Sequence, residues 1–424
     1  MSREVGKRFD MAVIGLGYVG LPLVIEAQRS GLTVLGVDVD SWKVQRLLEG
    51  RSYVEDVSND ELRVALASGF LPTVDSSQLA LADAAIICVP TPLKDQVPDL
   101  SAVIDAGAAV GEHLQHGELV ILQSTSYPGT TQDILQPLLE RSSGLRAGED
   151  FFLAFAPERI DPGNPRWGMR NTPKLVAGID VRSTERAAEL LGKICDDIVI
   201  LPGPREAEMA KLLENTYRHV NIALMNEMAI FCRELGIDVW EVIRGASTKP
   251  FGFQAFYPGP GVGGHCIPVD PNYLSFRVGQ LGYPFRFVEL AKEINARMPA
   301  YVVSRIVELL NRRGLPARGS RVALLGVAYK PDVGDVRETP ALPIARKLLD
   351  LGAQLCFVDP HVDEFAVDGR PIARIVDGDL RTLEADIFVI ISAHSSLDLT
   401  GLPSNERLIL DTRGVMPAGA AERL

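Results

Sequence analysis

The sequence lacks the features that define membrane, secreted and disulfide-rich proteins. No run of about 18 apolar residues occurs, and residues 1–5 contain no apolar core of a signal peptide, so neither a membrane helix nor secretion is expected. The five cysteines are scattered without paired spacing, which fits a reducing compartment without structural disulfides. We therefore expect a cytoplasmic protein.

Positive charge is also scarce. The formal net charge is -12 and the isoelectric point is near 5.1, which argues against nucleic acid or an anionic membrane as a partner, although a local basic pocket could hold a phosphate. His113 and His116 have no other Cys or His beside them, so no metal site is predicted. The rest of the composition is that of an ordinary globular protein, long enough for roughly two to three domains.

One glycine-rich stretch, residues 259–264, leads to a single thiol. Glycine and proline let the backbone bend tightly and approach a bound molecule, and Cys266 is preceded by His265 and followed by Asp270. A thiol reacts as its thiolate and needs neighbouring cations or donors to ionise near neutrality. From these residues alone, Cys266 is either a displayed nucleophile or a buried cysteine in a glycine-rich turn.

The N-terminal part contains a dinucleotide-binding fingerprint. A predicted strand over residues 11–14 runs into a GxGxxG turn and a helical stretch, and a second strand over residues 33–38 ends in an acid. Strand, glycines, helix, second strand and acid all occur at the expected spacing.

Each residue of this fingerprint has its own physical reason. Gly15 permits the turn, Gly17 lets backbone amides approach the pyrophosphate, and Gly20 allows the helix to pack closely on the strand. Asp38 can accept the ribose hydroxyls, and it favours NAD over NADP because it would repel the 2'-phosphate.

Three further apolar runs end in residues that can serve a ligand site. Thr91, Thr125 and Glu158 each follow such a run, and ligands of an open parallel sheet bind beyond the carboxyl ends of its strands. The two threonines are candidates for cofactor or active-site hydroxyls, or they are ordinary turn residues.

A long helix is predicted from about residue 205 to residue 235, without glycine or proline until its end. Lys211 and Asn215 share one of its faces, which is either functional or solvated. A helix this long and apolar is also a candidate for a dimer interface.

The last third repeats the alternation of strands and helices without a second GxGxxG. Its first turn contains Lys330, and Arg337 and Arg413 follow later. Fixed cations suit diphosphate oxygens, whereas a second dinucleotide would need the glycine loop. We therefore expect NAD at one end of the chain and a different phosphorylated ligand at the other.

Together these motifs resemble the nucleotide-sugar 6-dehydrogenases, the UDP-glucose and GDP-mannose dehydrogenase family. The resemblance spans nearly the whole chain, and its independent motifs occur in the family's order. The motifs are residues 15–22, 89–92 and 157–158, the Lys211/Asn215 helix, residues 263–266 with Asp270, and residues 326–330.

The resemblance implies an α/β fold with two Rossmann-like, doubly wound domains joined by a long central helix that dimerises. It implies an NAD-binding domain at residues 1–204, a central helical dimerisation region with the Cys loop at 205–300, and a nucleotide-sugar domain at 301–424. A UDP-sugar and a homodimer or higher homo-oligomer are the implied partners.

The resemblance also implies the site residues. The catalytic set is Cys266, Lys211, Asn215, Asp270, Glu158 and Thr125. The NAD set is Gly15, Gly17, Tyr18, Val19, Gly20, Asp38, Lys43, Thr91, Thr125 and Arg337. The substrate set is Glu158, Arg159, Lys211, Asn215, Tyr257, Gly263, Lys330 and Arg413.

The family's chemistry is a double oxidation of C6 of the sugar to a carboxylate with two NAD+. In it Cys266 adds to the aldehyde, the thiohemiacetal is oxidised to a thioester, and water activated through Glu158 or Asp270 hydrolyses it. Lys211 suits a developing oxyanion. Which group is the base in each step stays open.

The loop resembles most the branch that oxidises UDP-N-acetylglucosamine, with UDP-glucose and UDP-N-acetylmannosamine as alternatives. Ile160 departs from that branch, where an acid stands, and Val269 replaces a lysine of the UDP-glucose enzymes. Two rival classes are a nucleotide-sugar-binding or regulatory protein that kept the fold without catalysis, and a single-step hydroxy-acid dehydrogenase that needs no thiol.

Overall fold

The structure is a computed structural model that describes residues 8–95, 97–161, 163–264, 266–376, 380–402 and 407–424. At Cys266 it describes the backbone alone. Backbone contacts divide the chain into two units, Met1–Glu214 with Asn272–Leu281, and Asn215–Pro271 with Gly282–Leu424.

The elements alternate between strands and helices at both ends of the chain. The helices of the described residues are α1 (Gly20–Arg29), α2 (Ser41–Leu48), α3 (Asn59–Ala67), α4 (Ser101–His113), α5 (Gln136–Ser143), α6 (Val181–Leu191), α7 (Pro204–Glu234), α8 (Val239–Ala246), α9 (Cys266–Gln280), α10 (Arg286–Arg312) and α11 (Ala341–Asp350). The strands are β1 (Met11–Ile14), β2 (Val34–Val37), β3 (Leu71–Thr73), β4 (Ala84–Ile87), β5 (Leu93–Lys94), β6 (Val97–Pro98), β7 (Leu119–Leu122), β8 (Phe152–Phe155), β9 (Lys174–Gly178), β10 (Ile198–Ile200), β11 (Arg321–Leu325), β12 (Gln354–Val358), β13 (Ala366–Val367), β14 (Arg370–Pro371), β15 (Ala373–Arg374), β16 (Ile387–Ile390), β17 (Leu408–Asp411) and β18 (Glu422–Arg423).

The first unit is built on an eight-stranded sheet in the order β10-β9-β8-β7-β4-β1-β2-β3. From β3 to β8 all neighbours are parallel, which is the doubly wound order of a Rossmann domain. Strand β9 runs antiparallel to β8. Strands β1, β2, β4 and β7 are buried at every position, as expected for a parallel sheet covered on both faces.

The second unit repeats this order with fewer strands. Its sheet runs β15-β12-β11-β16-β17-β18, and all of its neighbours are parallel. The core between β11 and its helices contains fully buried Val322, Leu324, Ile344 and Leu348. The predicted fold class, two Rossmann-like domains with a long helix between them in the chain, is confirmed.

The long helix α7 spans 31 residues, one residue from the predicted start and one from the predicted end. Helix α10 spans 27 residues, continues through Pro299 and was not predicted from the sequence. The division into three segments at residues 204 and 300 stays a prediction. Among the described residues, no helix is long and apolar enough to cross a membrane.

Candidate active site

The turn after β1 has the geometry that its glycines predict. Gly15 has a φ of +93°, and a Cβ there would lie 2.7 Å from the carbonyl oxygen of Cys88. A Cβ on Gly20 would lie 1.8 Å from the carbonyl oxygen of Gly15, whereas one on Gly17 would meet nothing within 4 Å. Gly15 and Gly20 are therefore required by packing, and the backbone at Gly17 faces open space that a ligand can enter.

The N-terminus of α1 and the acid after β2 complete this site. Val19 precedes the helix, and no side chain caps the helix N-terminus, so its amides and dipole suit a phosphate. Asp38 accepts the Leu16 amide at 2.8 Å and the Asp40 amide at 2.9 Å, and Lys43 lies 3.3 Å from the same carboxylate.

A carboxylate offers about four lone-pair directions, so after its three described donors Asp38 has one left for a ribose hydroxyl. These residues fit a bound dinucleotide. Thr91 is buried beyond the end of β4, and Tyr18 is exposed in the glycine turn. Both residues lie in the unit that contains the fingerprint.

The loop after β7, which carries half-buried Thr125, is anchored by a fully buried acid. Glu208 on α7 accepts the amides of Gly129 at 2.6 Å and Thr131 at 2.9 Å, and the Thr131 hydroxyl at 2.7 Å. Burial raises the pKa of Glu208 to about 7, although these donors oppose the rise. A π-helical turn, Thr130–Leu135, follows the anchored loop.

Glu158 lies beyond the end of β8 and is fully engaged. Its Oε1 accepts the amides of Arg159 and Ile160 at 2.8 Å and 3.0 Å. Its Oε2 accepts from the Lys174 ammonium at 2.8 Å and the Gln123 amide at 3.1 Å. Burial alone would raise the pKa of Glu158, but Lys174 and the two backbone amides lower it, so the acid is ionised at neutral pH.

Arg159 points to a neighbouring acid. Its guanidinium forms a two-pronged ion pair with Glu214, and Nη1 donates to the carbonyl oxygen of Pro173 at 2.8 Å. Any contact of Arg159 with a substrate would therefore have to compete with Glu214.

The two predicted polar residues of α7 are both buried. Lys211 is 7% exposed, and its ammonium makes no hydrogen bond with the described residues of its unit. Asn215 donates its side-chain amide to Asp270 at 2.5 Å, and Asp270 is itself buried. The solvated alternative for this face does not apply, since neither side chain is exposed.

The glycine loop before Cys266 packs on the turn that follows β11. A Cβ on Gly263 would lie 2.8 Å from that of Tyr329, and one on Gly264 would meet the Tyr329 ring at 2.7 Å. The Lys330 ammonium lies 5.8 Å from the same ring. Only glycine fits at these two positions, so the loop and the Lys330 turn are brought together within the second unit.

The start of this loop is hydrogen-bonded to α7, and through α7 to α10. The Gly259 amide donates to the Asn226 side-chain oxygen at 2.8 Å, and the Asn226 amide group donates to Asn295 of α10 at 2.9 Å. Asn295 in turn donates to the carbonyl oxygen of His219 at 3.3 Å. All three side chains are buried, and burial lowers the pKa of His219 to about 4, so this imidazole is neutral.

Arg413 and Tyr257 flank the same loop. Arg413 donates to the carbonyl oxygen of Ile391 at 2.6 Å, and a Cβ on Gly259 would lie 2.8 Å from its guanidinium. Burial lowers the pKa of Arg413 to about 10, and Asp411 opposes this shift. The exposed Tyr257 stacks on the Trp240 ring at 5.8 Å.

The acid after β12 occupies the position that Asp38 has after β2, but its lone pairs are taken. Asp359 accepts the amides of Val327 and Ala328, lies 3.0 Å from His394 Nε2, and also accepts the amides of His361 and Val362. Asp359 therefore has no lone pair available for a ribose, in keeping with the lack of a GxGxxG loop after β11.

Asp332, His361 and His394 are a group in the described chain whose possible metal-ligand atoms lie within 4.8 Å of one another. His394 Nδ1 accepts the Asp332 amide at 2.9 Å while Nε2 faces Asp359, so both ring nitrogens are engaged. Asp332 itself accepts the amide and hydroxyl of Ser395. The group is a hydrogen-bonded network, and the absence of a metal site stays a prediction.

The predicted residues Arg337, His265 and Cys266 remain to be placed. Arg337 pairs with Asp335 through two nitrogens and lies in the second unit, and its role in NAD binding stays a prediction. His265 and the side chain of Cys266 lie outside the described residues, and helix α9 begins at Cys266.

Several residues of this site were not found from the sequence. The structure adds the buried polar residues Gln123, Lys174, Glu208, Asn226 and Asn295. For Glu208 a signal existed, because an acid three residues before Lys211 lies on the same face of an apolar helix. The others depend on pairings of distant segments.

The first unit is that of an NAD-linked oxidoreductase, and the second unit is a Rossmann-like domain without a GxGxxG turn after its first strand. Three models of the UDP-glucose/GDP-mannose dehydrogenase family match the chain. They are its NAD binding domain over residues 9–195, its central domain over residues 205–297 and its UDP binding domain over residues 323–418.

Individual relatives agree with these matches. A UDP-N-acetyl-D-glucosamine 6-dehydrogenase of Pseudomonas aeruginosa is 38% identical over 84% of both chains. A UDP-N-acetyl-D-mannosamine dehydrogenase of Yersinia pestis is 34% identical over 96% of this chain and 98% of its own. A solved UDP-D-ManNAc dehydrogenase of Pyrococcus horikoshii is 33% identical, with a TM-score of 0.87 over 97% of this chain and 98% of that one.

The chain belongs to the UDP-glucose/GDP-mannose dehydrogenase family. It is a nucleotide-sugar dehydrogenase, and NAD is its cofactor. The resemblance seen in its motifs is thereby confirmed.

Proposed function

We propose that the chain oxidises C6 of UDP-N-acetylglucosamine to the uronic acid in two steps, with a covalent intermediate on Cys266. The observation that supports the reaction most is the buried hydrogen bond between Asn215 and Asp270, which fixes an acid four residues after Cys266 in the helix that begins at that cysteine. The N-terminus of a helix also favours a thiolate.

Bound NAD would accept one hydride in each of the two oxidations. The chain's own residues stabilise charge, orient the reacting groups and supply the nucleophile. In the first step Lys211 stabilises negative charge on the C6 oxygen, because a buried ammonium acts strongly in a dry site. Thr125 and Asn215 orient that oxygen and a water.

In the second step the Cys266 thiolate adds to the aldehyde carbon, and the carbonyl oxygen becomes the alkoxide of a thiohemiacetal, from which a hydride can leave. Loss of the second hydride gives a thioester. Water then attacks the thioester carbon, the C–S bond breaks, and the sulfur leaves as a thiolate.

The nucleotide would lie against the cations of the second unit. Lys330 and Arg413 flank the loop at Gly259–Gly264, and ammonium and guanidinium groups bind diphosphate oxygens. Tyr257, stacked on Trp240, offers an exposed ring beside them. Two observations support the choice of sugar. The loop before Cys266 resembles that of the enzymes that oxidise UDP-N-acetylglucosamine, and the Pseudomonas aeruginosa relative carries that name.

UDP-N-acetylmannosamine is the second candidate, since the Yersinia pestis relative and the Pyrococcus horikoshii structure carry that name. Parallel assays with UDP-N-acetylglucosamine, UDP-N-acetylmannosamine and UDP-glucose separate the candidates by kcat/KM. We expect UDP-N-acetylglucosamine to be highest; turnover of UDP-N-acetylmannosamine or UDP-glucose alone would contradict the choice of sugar.

A Cys266→Ser variant tests the mechanism. We expect it to stop before the acid, while Cys356→Ser, a change at a half-buried thiol of β12, keeps full turnover. Acid formed by Cys266→Ser at the parent rate would contradict the thioester.

We also propose a homodimer formed through α7. This helix leaves large apolar side chains exposed, which suggests a protein partner. They are Met209, Leu213, Tyr217, Leu224 and Phe231. Sedimentation should show a dimer for the parent and a monomer for Leu224→Glu; a monomeric parent would contradict the proposal.

A further inference from the structure

The second half of helix α9 packs on the loop that follows β7. Residues 272–281 belong to the first unit. In that unit the centre of the Tyr127 ring lies 6.3 Å from that of Tyr273 and 6.0 Å from that of Phe276. The Arg277 guanidinium lies 5.8 Å from the centre of the same Tyr127 ring. One aromatic side chain of the loop therefore contacts three side chains of the helix.

These three helix residues share one face, because positions three and four apart on a helix are neighbours. Tyr273 is fully buried, and its hydroxyl donates to the carbonyl oxygen of Pro92, beyond β4, at 3.4 Å. Arg277 Nη2 also lies 3.8 Å from Asp133. Strands β4 and β7 are parallel neighbours, and β4 also pairs with β1. This face of α9 is therefore attached to the edge of the sheet at which the glycine turn lies.

The loop that carries Tyr127 is itself well anchored. Glu208 of α7 accepts three hydrogen bonds from its far end. The hydroxyl and the amide of Thr130 donate to the carbonyl oxygen of Tyr127 at 2.7 Å and 3.0 Å. Burial raises the pKa of Tyr127 above its usual value, so its ring is a neutral phenol at neutral pH. Tyr127 is thus a fixed point on which α9 can rest.

Both sides of this contact lead to residues assigned to the reaction. Thr125 is two residues before Tyr127 in the loop. Helix α9 begins at Cys266, seven residues before Tyr273, which is about two turns or about 10 Å along its axis. The helix continues through Pro271, which removes one backbone hydrogen bond. Because the other turns remain hydrogen-bonded to one another, holding the second half of α9 also holds its first turn.

We propose that Tyr127 is a positioning residue, which joins the Thr125 loop to α9 and so sets the place of Thr125 and of the first turn of α9. The proposal rests on the proposed function, in which Thr125 and Cys266 must both reach C6 of the sugar. Misplacement of a reacting group by about 1 Å can cost about a hundredfold in rate. A contact that only positions these residues therefore acts on kcat.

The test is the measurement of kcat and KM for Tyr127→Ala, with Tyr127→Phe as the conservative variant that keeps the ring. We expect Tyr127→Ala to lower kcat by about tenfold or more and to leave KM for NAD+ near the parent value. Tyr127→Phe should keep the parent kcat. Tyr127→Leu keeps apolar volume without a ring, so its kcat should fall between the other two, and it decides the case if Tyr127→Ala does not fold.

Phe152→Ala is the matched control. It removes an aromatic ring of the same unit that also contacts an arginine, Arg182 at 5.2 Å, but Phe152 is the first residue of β8 and lies at the opposite end of the strand from the site. This variant should lower the melting temperature and keep the parent kcat. Parent kcat in Tyr127→Ala would overturn the proposal, and so would an equal loss of kcat in Tyr127→Ala and Phe152→Ala.

The reactivity of the Cys266 thiol gives a readout without turnover. The N-terminus of a helix favours a thiolate, so a first turn that is no longer held should stabilise it less. The alkylation rate with iodoacetamide, followed against pH by mass spectrometry of the peptide that contains Cys266, should have its midpoint shifted up by about half a pH unit in Tyr127→Ala. Tyr127→Phe and Phe152→Ala should keep the parent midpoint.

This readout also separates the proposal from the proposed function. An unchanged midpoint in Tyr127→Ala would show that the contact does not reach the first turn of α9 and would overturn the proposal. Failure of the parent to oxidise any UDP-sugar would contradict only the proposed function, because the alkylation of Cys266 needs no substrate.

Discussion

Replacement of Asn226 by alanine tests how the loop before Cys266 is held. Asn226 is fully buried on α7, accepts the Gly259 amide at 2.8 Å and donates to Asn295 at 2.9 Å. The alanine variant leaves both of these partners buried without a hydrogen bond.

The size of the effect follows from the two groups left unpaired. A buried donor or acceptor that loses its partner costs about 1–3 kcal/mol, so Asn226→Ala should lower the free energy of unfolding of the second unit by roughly 2–6 kcal/mol. Asn221→Ala on the same helix loses only a contact to the carbonyl oxygen of Tyr217 in a partly exposed place. That control should cost less than about 0.5 kcal/mol.

Urea unfolding gives the stability of the two variants, and amide hydrogen exchange of peptides that cover residues 257–264 gives the state of the loop. Asn226→Ala should exchange faster there than the parent under native conditions, because the Gly259 amide has lost its acceptor. Equal unfolding and equal exchange of Asn226→Ala and Asn221→Ala would refute the account of this network.

Two further predictions concern packing and titration. Gly414 has a φ of +66°, and a Cβ there would lie 2.3 Å from the Trp240 ring, whereas Gly419, with a φ of +80°, has open space around it; Gly414→Ala should therefore lower the melting temperature clearly more than Gly419→Ala, and equal values would contradict the packing. Burial raises the pKa of Glu208 from 4.5 to about 7. The folded chain thus binds a proton that the unfolded chain releases, and stability should fall by up to about 3 kcal/mol as the pH rises from about 4.5 to 7. Thermal unfolding across that range should show a smaller slope for Glu208→Gln than for the control Glu206→Gln; identical slopes would argue against this titration.

Much of the fold could be predicted from local pattern. The segments that form β1, β4, β7 and β11 are short apolar runs bounded by glycine, proline or small polar residues. Both their apolar character and their ends are therefore visible in the sequence. Helix α10 was missed because it contains Pro299, which normally argues against a helix interior.

The residues that support the site could not be predicted in this way. Lys174 meets Glu158 only because β9 turns antiparallel to β8, and no local pattern signals that reversal. Asn226 and Asn295 are 69 residues apart and meet through the packing of two helices. Polar side chains of this kind resemble surface residues until the tertiary structure places them in the interior.

The central claim is the two-step oxidation through Cys266. The most direct measurement is the NADH formed from a limiting amount of UDP-N-acetylglucosamine with excess NAD+. About two equivalents of NADH per sugar are predicted, because the thiol lets the aldehyde be oxidised again. About one equivalent, with aldehyde as the product, would contradict the account.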